Sequence, residues 1–460
     1  MNQIPVEKNK EYVVDIIDNG FEGEGIAKID NFTIFIPGAI KGEKVKILIV
    51  KVLSSHAFGK ILEFIKESEN RIDVDCSTYK RCGGCNLRHV KYESTLLMKQ
   101  DAVQSLVNKT LKNKIAVSEV IGMKEPYHYR NKAQYPIGLD KNNNVVTGIF
   151  AERSHDIIQM HECFIQNKIS QEIAKKVVDF IRKNNISVYD EKSGNGLFRH
   201  VVIRVGVKSN QVMCILVLNG RKIPKEQELV EFLLDEFPSI TTIVKNFNMK
   251  NTNVILGYEN ESIYGSGFIE DKLGEYTFKI SPLSFYQINP VQTEVLYRTA
   301  IDMANLQGDE VAVDLYCGIG TISLFLSKGV KKVYGIEIVP QAIEDAKQNA
   351  KINHVDNVDF FVGDVEFAFD DLINKSCVVP DVVFVDPPRK GLDSNTVDNI
   401  LRVCPKKVVY ISCNPATLVR DLAKLEDRYA ISRIQPVDMF PWTSHVECCS
   451  VLEIKQNVEI

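Results

Sequence analysis

The sequence predicts an α/β protein in three parts: a small β-barrel over residues 1–66, a central, mainly-β region with a four-cysteine cluster over 67–285, and a parallel sheet wrapped by helices over 286–460. Three observations predict it. Short apolar runs punctuated by glycine and proline fill residues 10–66, four cysteines lie at ligand spacing in the middle, and from about residue 290 buried runs alternate with amphipathic segments. With 460 residues, 45% of them hydrophobic and 25% charged, and a net charge of −4, a disordered or collagen-like chain is excluded. Met1 to Tyr12 is polar, and no run approaches the ~20 apolar residues of a membrane span, so a cytoplasmic chain with no membrane partner is expected, acting as a monomer. In that setting eleven cysteines point to thiols, metal ligation or catalysis rather than disulfides.

The barrel rests on short strands predicted at 12–17, 26–29, 33–36, 45–52 and 59–65, with Gly20-Phe21-Glu22-Gly23-Glu24-Gly25 and Pro37-Gly38 as turns. Barrels of this oligonucleotide-binding type offer a face and loops to RNA. The glycines around Phe21 and the Ile-Pro-Gly turn resemble the TRAM domain, an RNA-binding barrel of RNA-modifying enzymes.

Next come Cys76, Cys82, Gly83, Gly84 and Cys85, then an isolated Cys163 in Met160-His161-Glu162-Cys163. Three close thiolates and a fourth partner suit either a [4Fe–4S] cluster or tetrahedral zinc, which spacing does not separate. From Cys76 to Lys132 eleven Lys and Arg face four Asp and Glu, whereas Asn305 to Ile460 carries sixteen against twenty-three. The basic stretch, with an amphipathic helix predicted at 92–113, is read as the grip on RNA phosphates, with Lys80, Arg81, Arg88 and Lys91 as contacts. Tyr127-His128-Tyr129-Arg130-Asn131-Lys132 interleaves rings and cations as single-stranded RNA binders do. Beyond it, strands are predicted at 133–139, 145–150, 201–207, 211–218 and 277–280, and helices at 168–184 and 225–236.

In the last part, Asp314-Leu315-Tyr316-Cys317-Gly318-Ile319-Gly320-Thr321 reads as a strand end, a Gly-x-Gly turn and a helix start, with Ser323 where a dinucleotide site would need a third glycine. The next strands end in Glu337, which can accept both ribose hydroxyls of an adenosine, then in Asp364 and Asp386. Acids at successive strand ends with no phosphate cradle predict an S-adenosylmethionine-dependent methyltransferase. Asp386-Pro387-Pro388 also occurs in amine methyltransferases, where an aromatic residue follows; here Arg389 follows. One βα unit later the strand 408–412 delivers Cys413 at an Asn414-Pro415 turn. That pairing favours carbon methylation, because C5 of uracil becomes nucleophilic only after a thiolate adds at C6, and a base must then take the C5 proton. His445 and Glu447, two residues apart, offer the base if the segment is extended.

Taken together, the barrel, the cysteines, Phe285-Tyr286-Gln287-Ile288-Asn289, Asp386-Pro387-Pro388-Arg389, Ser412-Cys413-Asn414-Pro415 and His445-Val446-Glu447 resemble the RNA uracil-5-methyltransferase family, in particular its iron–sulfur-containing, TRAM-bearing ribosomal RNA branch. The resemblance implies Cys413 as nucleophile, Glu447 as proton abstractor, and Gln287, Tyr316, Thr321, Glu337, Asp364 and Asp386 around S-adenosyl-L-methionine and the base. It implies Cys76, Cys82, Cys85 and Cys163 as ligands of a [4Fe–4S] cluster, with zinc as the alternative, and 23S ribosomal RNA as the substrate. The alternatives are a transfer-RNA uracil-5-methyltransferase, an RNA amine methyltransferase using Asp386, and a metal-bearing RNA-binding protein without catalysis.

Overall fold

The computed structural model describes residues 4–151, 154–159 and 162–455; Met160 and His161 of the segment that carries Cys163 lie outside the described residues. At the amino-terminal end, strands Glu11–Asp15, Asp18–Asn19, Gly25–Ile29, Phe32–Ile36, Lys44–Val52 and His56–Lys66 form one curled sheet. Alternation decides which face is inside: Val45, Ile47 and Ile49 are fully buried while the residues between them are partly open. The sheet curls until the Ile17 N–H reaches the Ile26 carbonyl at 2.9 Å, which brings the continuation of the first strand onto the third.

In the middle, Lys132–Leu139, Val145–Thr147, Phe198–Val205, Val212–Leu218, Ile240–Phe247 and Glu259–Tyr264 make a second six-stranded sheet. Every residue of Phe198–Val205 and Val212–Leu218 is buried. One face packs on helix Lys168–Lys183, and the other joins the core of the carboxyl-terminal part through Val202, Met213, Ile215 and Val217. The sequence reading misses Ile240–Phe247, Glu259–Tyr264 and Ile269–Leu273, and Gly148 splits the run predicted at 145–150 into Val145–Thr147 and Ile149–Phe150. Glu259–Tyr264 is a polar edge strand with little apolar alternation to read.

The third sheet positions the site. Its strands are β1 (Val311–Leu315), β2 (Lys332–Glu337), β3 (Val358–Val362), β4 (Val382–Val385), β5 (Lys407–Ser412), β6 (Tyr429–Val437) and β7 (Glu447–Ile454), in the order β3-β2-β1-β4-β5-β7-β6. The first five pair in parallel, and β7 runs antiparallel to both β5 and β6. The order reverses between β1 and β4, so their carboxyl ends open a crevice where such sheets bind ligands.

The amphipathic helix expected at 92–113 forms as Tyr92–Thr110 and lays its apolar face on the helix Pro415–Leu425, which follows β5. Its Val103 and Val107, with Leu111, share a core with Leu418 and Leu422, and the following chain bridges β6 through Val117 to Ile434 and Ile121 to Val437. Among the described residues no helix is long and apolar enough to cross a membrane.

Candidate active site

β5 ends at Ser412, and Asn414 caps the helix Pro415–Leu425 by accepting the Ala416 N–H on its side chain at 3.1 Å. Proline suits the first helical position because its missing N–H has no partner there anyway. Cys413 is therefore the single residue between strand and cap, half-buried at the sheet's edge. The β5–β7 register pairs Ser412 with Cys448, so the next step along it sets Cys413 opposite Glu447, the buried first residue of β7. The loop after β4 completes the group. Asn414 Nδ2 and Thr417 Oγ1 donate to the Arg389 carbonyl at 3.1 and 3.3 Å, which ties the Asp386-Pro-Pro-Arg389 turn to the turn carrying Cys413.

Electrostatics links these four side chains. Burial pushes Cys413 up to about 11, the negative charges of Glu447 and Asp386 add to the rise, and the Arg389 guanidinium pulls against it. Burial likewise lifts Glu447 well above the usual carboxylate range, with Asp386 reinforcing the rise, and lifts Asp386 itself. Two neighbouring acids with raised affinity for protons are suited to proton transfer near neutral pH. His445, by contrast, precedes β7 and is exposed, so the shared strand face expected for it and Glu447 does not form. The protein on one side of its ring desolvates it in part, and with the nearby Arg389 and Lys99 this holds it below the usual histidine range.

The crevice beside this group can take a nucleoside. Glu337 accepts the Gly318 N–H on Oε2 (3.2 Å) and the Val339 N–H on Oε1 (2.9 Å), leaving a lone pair on each oxygen. Gly318 lies at φ +55° with open space where a side chain would stand. Tyr316, also at positive φ (+67°), reaches Asp393 with its hydroxyl at 3.4 Å. Thr321 opens a helix with its Oγ1 3.3 Å from the Tyr297 hydroxyl, and Asp364, at the end of β3, is exposed and caps the helix Val365–Asn374. Gln287 is half-buried, and its carbonyl accepts from Asn131 Nδ2 at 2.9 Å. Asp314 does not belong with the other strand-end acids. Fully buried, it accepts the Ser323 Oγ–H at 2.5 Å, and burial lifts it to about 7. Ser323 thus serves to pin the helix to β1, which explains the residue found where a third glycine would stand.

Cys76, Cys82 and Cys85, close in sequence, and the distant Cys163 line one cavity of about 330 Å³. No three His, Cys, Asp or Glu among the described residues converge tightly enough to hold one bare ion; the thiols are spread around the wall. The Gly84 N–H donates to Cys82 Sγ at 3.4 Å, and burial raises Cys82, Cys163 and Cys85, the last to about 12. Arg88 Nη1, Arg130 Nε and Gln166 Oε1 are buried without a hydrogen-bond partner, and all three residues face this cavity. Thiols with the two orphaned arginine donors beside them fit a sulfur-rich, negatively charged occupant, while the Gln166 oxygen is an unpartnered acceptor. Arg88 is consequently not the phosphate contact expected from charge. It is 3% exposed, paired with Asp75 through Nε at 2.5 Å, and stacked 4.6 to 5.4 Å from Phe164, Trp442 and Tyr127.

Sequence reasoning leaves Arg389 without a role, its only signal being the missing aromatic residue after Asp-Pro-Pro. It misses Tyr297, which is buried beneath Asp386 and Glu447 and is indistinguishable by periodicity from any core tyrosine.

The profile of the family described as tRNA (Uracil-5-)-methyltransferase matches residues 91–455, and that of the TRAM domain matches 5–62. The chain is 47% identical over 445 residues to an "uncharacterized RNA methyltransferase" of Clostridium tetani, covering 96% of each. It is 45% identical over 455 residues to one of Halalkalibacterium halodurans, covering 98% of this chain and 99% of the relative. Among solved structures it is similar to the Pyrococcus abyssi tRNA (uracil-54, C5)-methyltransferase in complex with S-adenosyl-L-homocysteine. The TM-score is 0.79 at 27% identity, over 96% of this chain and 100% of the other.

Proposed function

The chain belongs to the tRNA (uracil-5-)-methyltransferase family, and from that premise we propose that it methylates C5 of uridine in 23S ribosomal RNA, with Cys413 as nucleophile and Glu447 as base. The observation that carries this reading is the register that sets Cys413 opposite Glu447, with Asp386 and Arg389 alongside. Cys413 gives its proton to a neighbouring carboxylate, favoured by Arg389, and its sulfur bonds to C6, which makes C5 electron-rich. S-adenosylmethionine, which Gln287, Tyr316, Thr321, Glu337, Asp364 and Asp386 would hold, would supply its methyl group to C5 as an electrophile and leave as S-adenosylhomocysteine. Glu447 then takes the C5 proton, the double bond re-forms, and the bond from sulfur to C6 breaks.

Within this reading residues 1–66 and 67–285 hold the RNA and 286–460 react with it, helix Tyr92–Thr110 being packed on the reacting part. Cys76, Cys82, Cys85 and Cys163, which line one cavity, hold a [4Fe–4S] cluster, with zinc as the alternative. The cluster has a structural role, since no step above moves an electron.

Transfer RNA is the second reading, favoured by the Pyrococcus abyssi enzyme, which acts on uridine 54 of tRNA and is matched along its whole length. Incubation with labelled S-adenosylmethionine and either unmodified ribosomal RNA or unmodified tRNA, followed by nucleoside analysis, decides between them. Labelled 5-methyluridine in the ribosomal RNA alone is expected; label in tRNA alone transfers the proposal to tRNA, and labelled N-methylated bases overturn C5 chemistry.

A further inference from the structure

The loop that carries Cys82 and Cys85 is hydrogen-bonded, through the two residues that follow it, to the strap of residues 438–446 that precedes Glu447. The Asn86 and Leu87 N–H groups both donate to the Trp442 carbonyl, at 3.2 and 3.0 Å. The Asn86 side chain accepts the Ser444 N–H on Oδ1 at 2.8 Å and donates from Nδ2 to Ser444 Oγ at 3.0 Å and to the Glu22 carbonyl at 2.6 Å. One side chain therefore joins the barrel, the cysteine loop and the strap, three residues before the base. The strap is strained: Trp442 lies at φ +68°, a conformation that a bulky residue keeps only where its surroundings over-determine it. Those surroundings include the residues just after Cys85. The Trp442 indole N–H donates to the Pro126 carbonyl at 2.7 Å, and the Arg88 guanidinium lies 5.0 Å from its ring.

We propose that Asn86 is a positioning residue for the base: it fixes residues 442–444 so that Glu447 enters β7 facing Cys413, and it thereby makes proton removal from C5 depend on order in the loop that carries Cys76, Cys82 and Cys85. The proposal rests on the roles given above to Cys413 and Glu447. Its signature is kinetic. Addition at C6 and methyl transfer use Cys413 and the nucleoside crevice, which Asn86 does not contact, whereas release of methylated RNA uses Glu447.

The test compares wild type, Asn86→Ala, Asn86→Asp and Glu447→Gln in single-turnover reactions with RNA and methyl-labelled S-adenosylmethionine, following the protein–RNA adduct that survives denaturing electrophoresis, with metal content read on each protein. Asn86→Ala is expected to keep its metal, form labelled adduct at the wild-type rate, and release it about tenfold more slowly or worse. Asn86→Asp, which keeps the acceptor for the Ser444 N–H, is expected to release close to the wild-type rate. Wild-type release by Asn86→Ala, or equal losses in adduct formation and release, overturns the proposal. If Asn86→Ala loses metal, Ser444→Pro, which deletes the accepted N–H and leaves residues 76–88 untouched, takes its place: slow release supports the proposal and wild-type release overturns it. Should Glu447→Gln itself accumulate no labelled adduct, the base assignment has failed; should it trap normally while Asn86→Ala releases normally, only the positioning role has.

Discussion

With no substrate bound, the surroundings of Cys413 favour its thiol form. At about 11 its ionised fraction at pH 7 is roughly one part in 10⁴, and only Arg389 opposes the burial and the two acids that hold it there. Glu447 and Asp386, both shifted upward, are themselves protonated at mildly acidic pH. Raising the pH therefore frees the base and the nucleophile together, and turnover is expected to climb continuously from pH 6 to 9; a maximum followed by a fall inside that range would contradict the assignment. Arg389→Gln should slow adduct formation, because each further unit on Cys413 removes about tenfold of its thiolate. Substitutions at the two reacting residues should fail at opposite ends of the cycle. Cys413→Ala is expected to form no covalent complex with RNA, whereas Glu447→Gln transfers the methyl group and stays bonded to its product. Turnover by Cys413→Ala would return amine methylation as the leading chemistry, and normal turnover by Glu447→Gln would make His445 the base to test.

Among the elements, helix Tyr92–Thr110 separates charge count from charge use. Lys99 is buried and donates to Asp438 at 2.6 Å and to the Phe440 carbonyl at 3.2 Å, while Tyr92 reaches the other oxygen of Asp438 at 2.8 Å. Lys99→Met leaves Asp438 buried without its cation and should cost about 3–5 kcal/mol in denaturant unfolding. Lys80, Arg81 and Lys91 are exposed and Arg88 is enclosed. Neutralising the three exposed cations should flatten the salt dependence of RNA binding by up to about 0.7 per lost contact, and Arg88→Gln should leave that slope unchanged. The same contrast explains what was legible in the sequence. β1, β2, β4 and β5 are mostly buried and end at acid, glycine or proline signals, so their runs and strand-end residues could be read directly. β6 mixes exposed and buried positions without a clean period, and its register depends on β7. Cys413 and the cysteines stood out by residue type and spacing, whereas Glu447 was singled out from His445 only by the family resemblance. Asn86 was not, because its role is made by contact with Ser444, 358 residues away.

On the scale of the whole molecule, the acids at the centre of the third sheet lower stability at the pH where they act. Asp314 is lifted to about 7 from 3.8, and Asp386 and Glu447 are raised as well. For an acid whose folded value exceeds its unfolded one, the folded state keeps a proton that the unfolded chain releases, so stability falls as pH rises from about 4 toward 7. Asp386→Asn carries no such charge. It should abolish turnover and raise the thermal midpoint at pH 8 by roughly 2–4 °C, with the gain shrinking toward pH 5. A gain that is the same at both pH values would show that the aspartate's charge is not its source. A different consequence follows from the place of β7, which lies between β5 and β6 although it comes after both in the chain. As the chain is synthesised, the crevice and the cysteine emerge first, and at ~5–20 residues per second the glutamate follows a few seconds later. If Cys413 and Glu447 act as proposed, the nascent protein in that interval holds the residue that captures RNA and lacks the residue that lets it go, and threading one strand between two others both completes the sheet and supplies release.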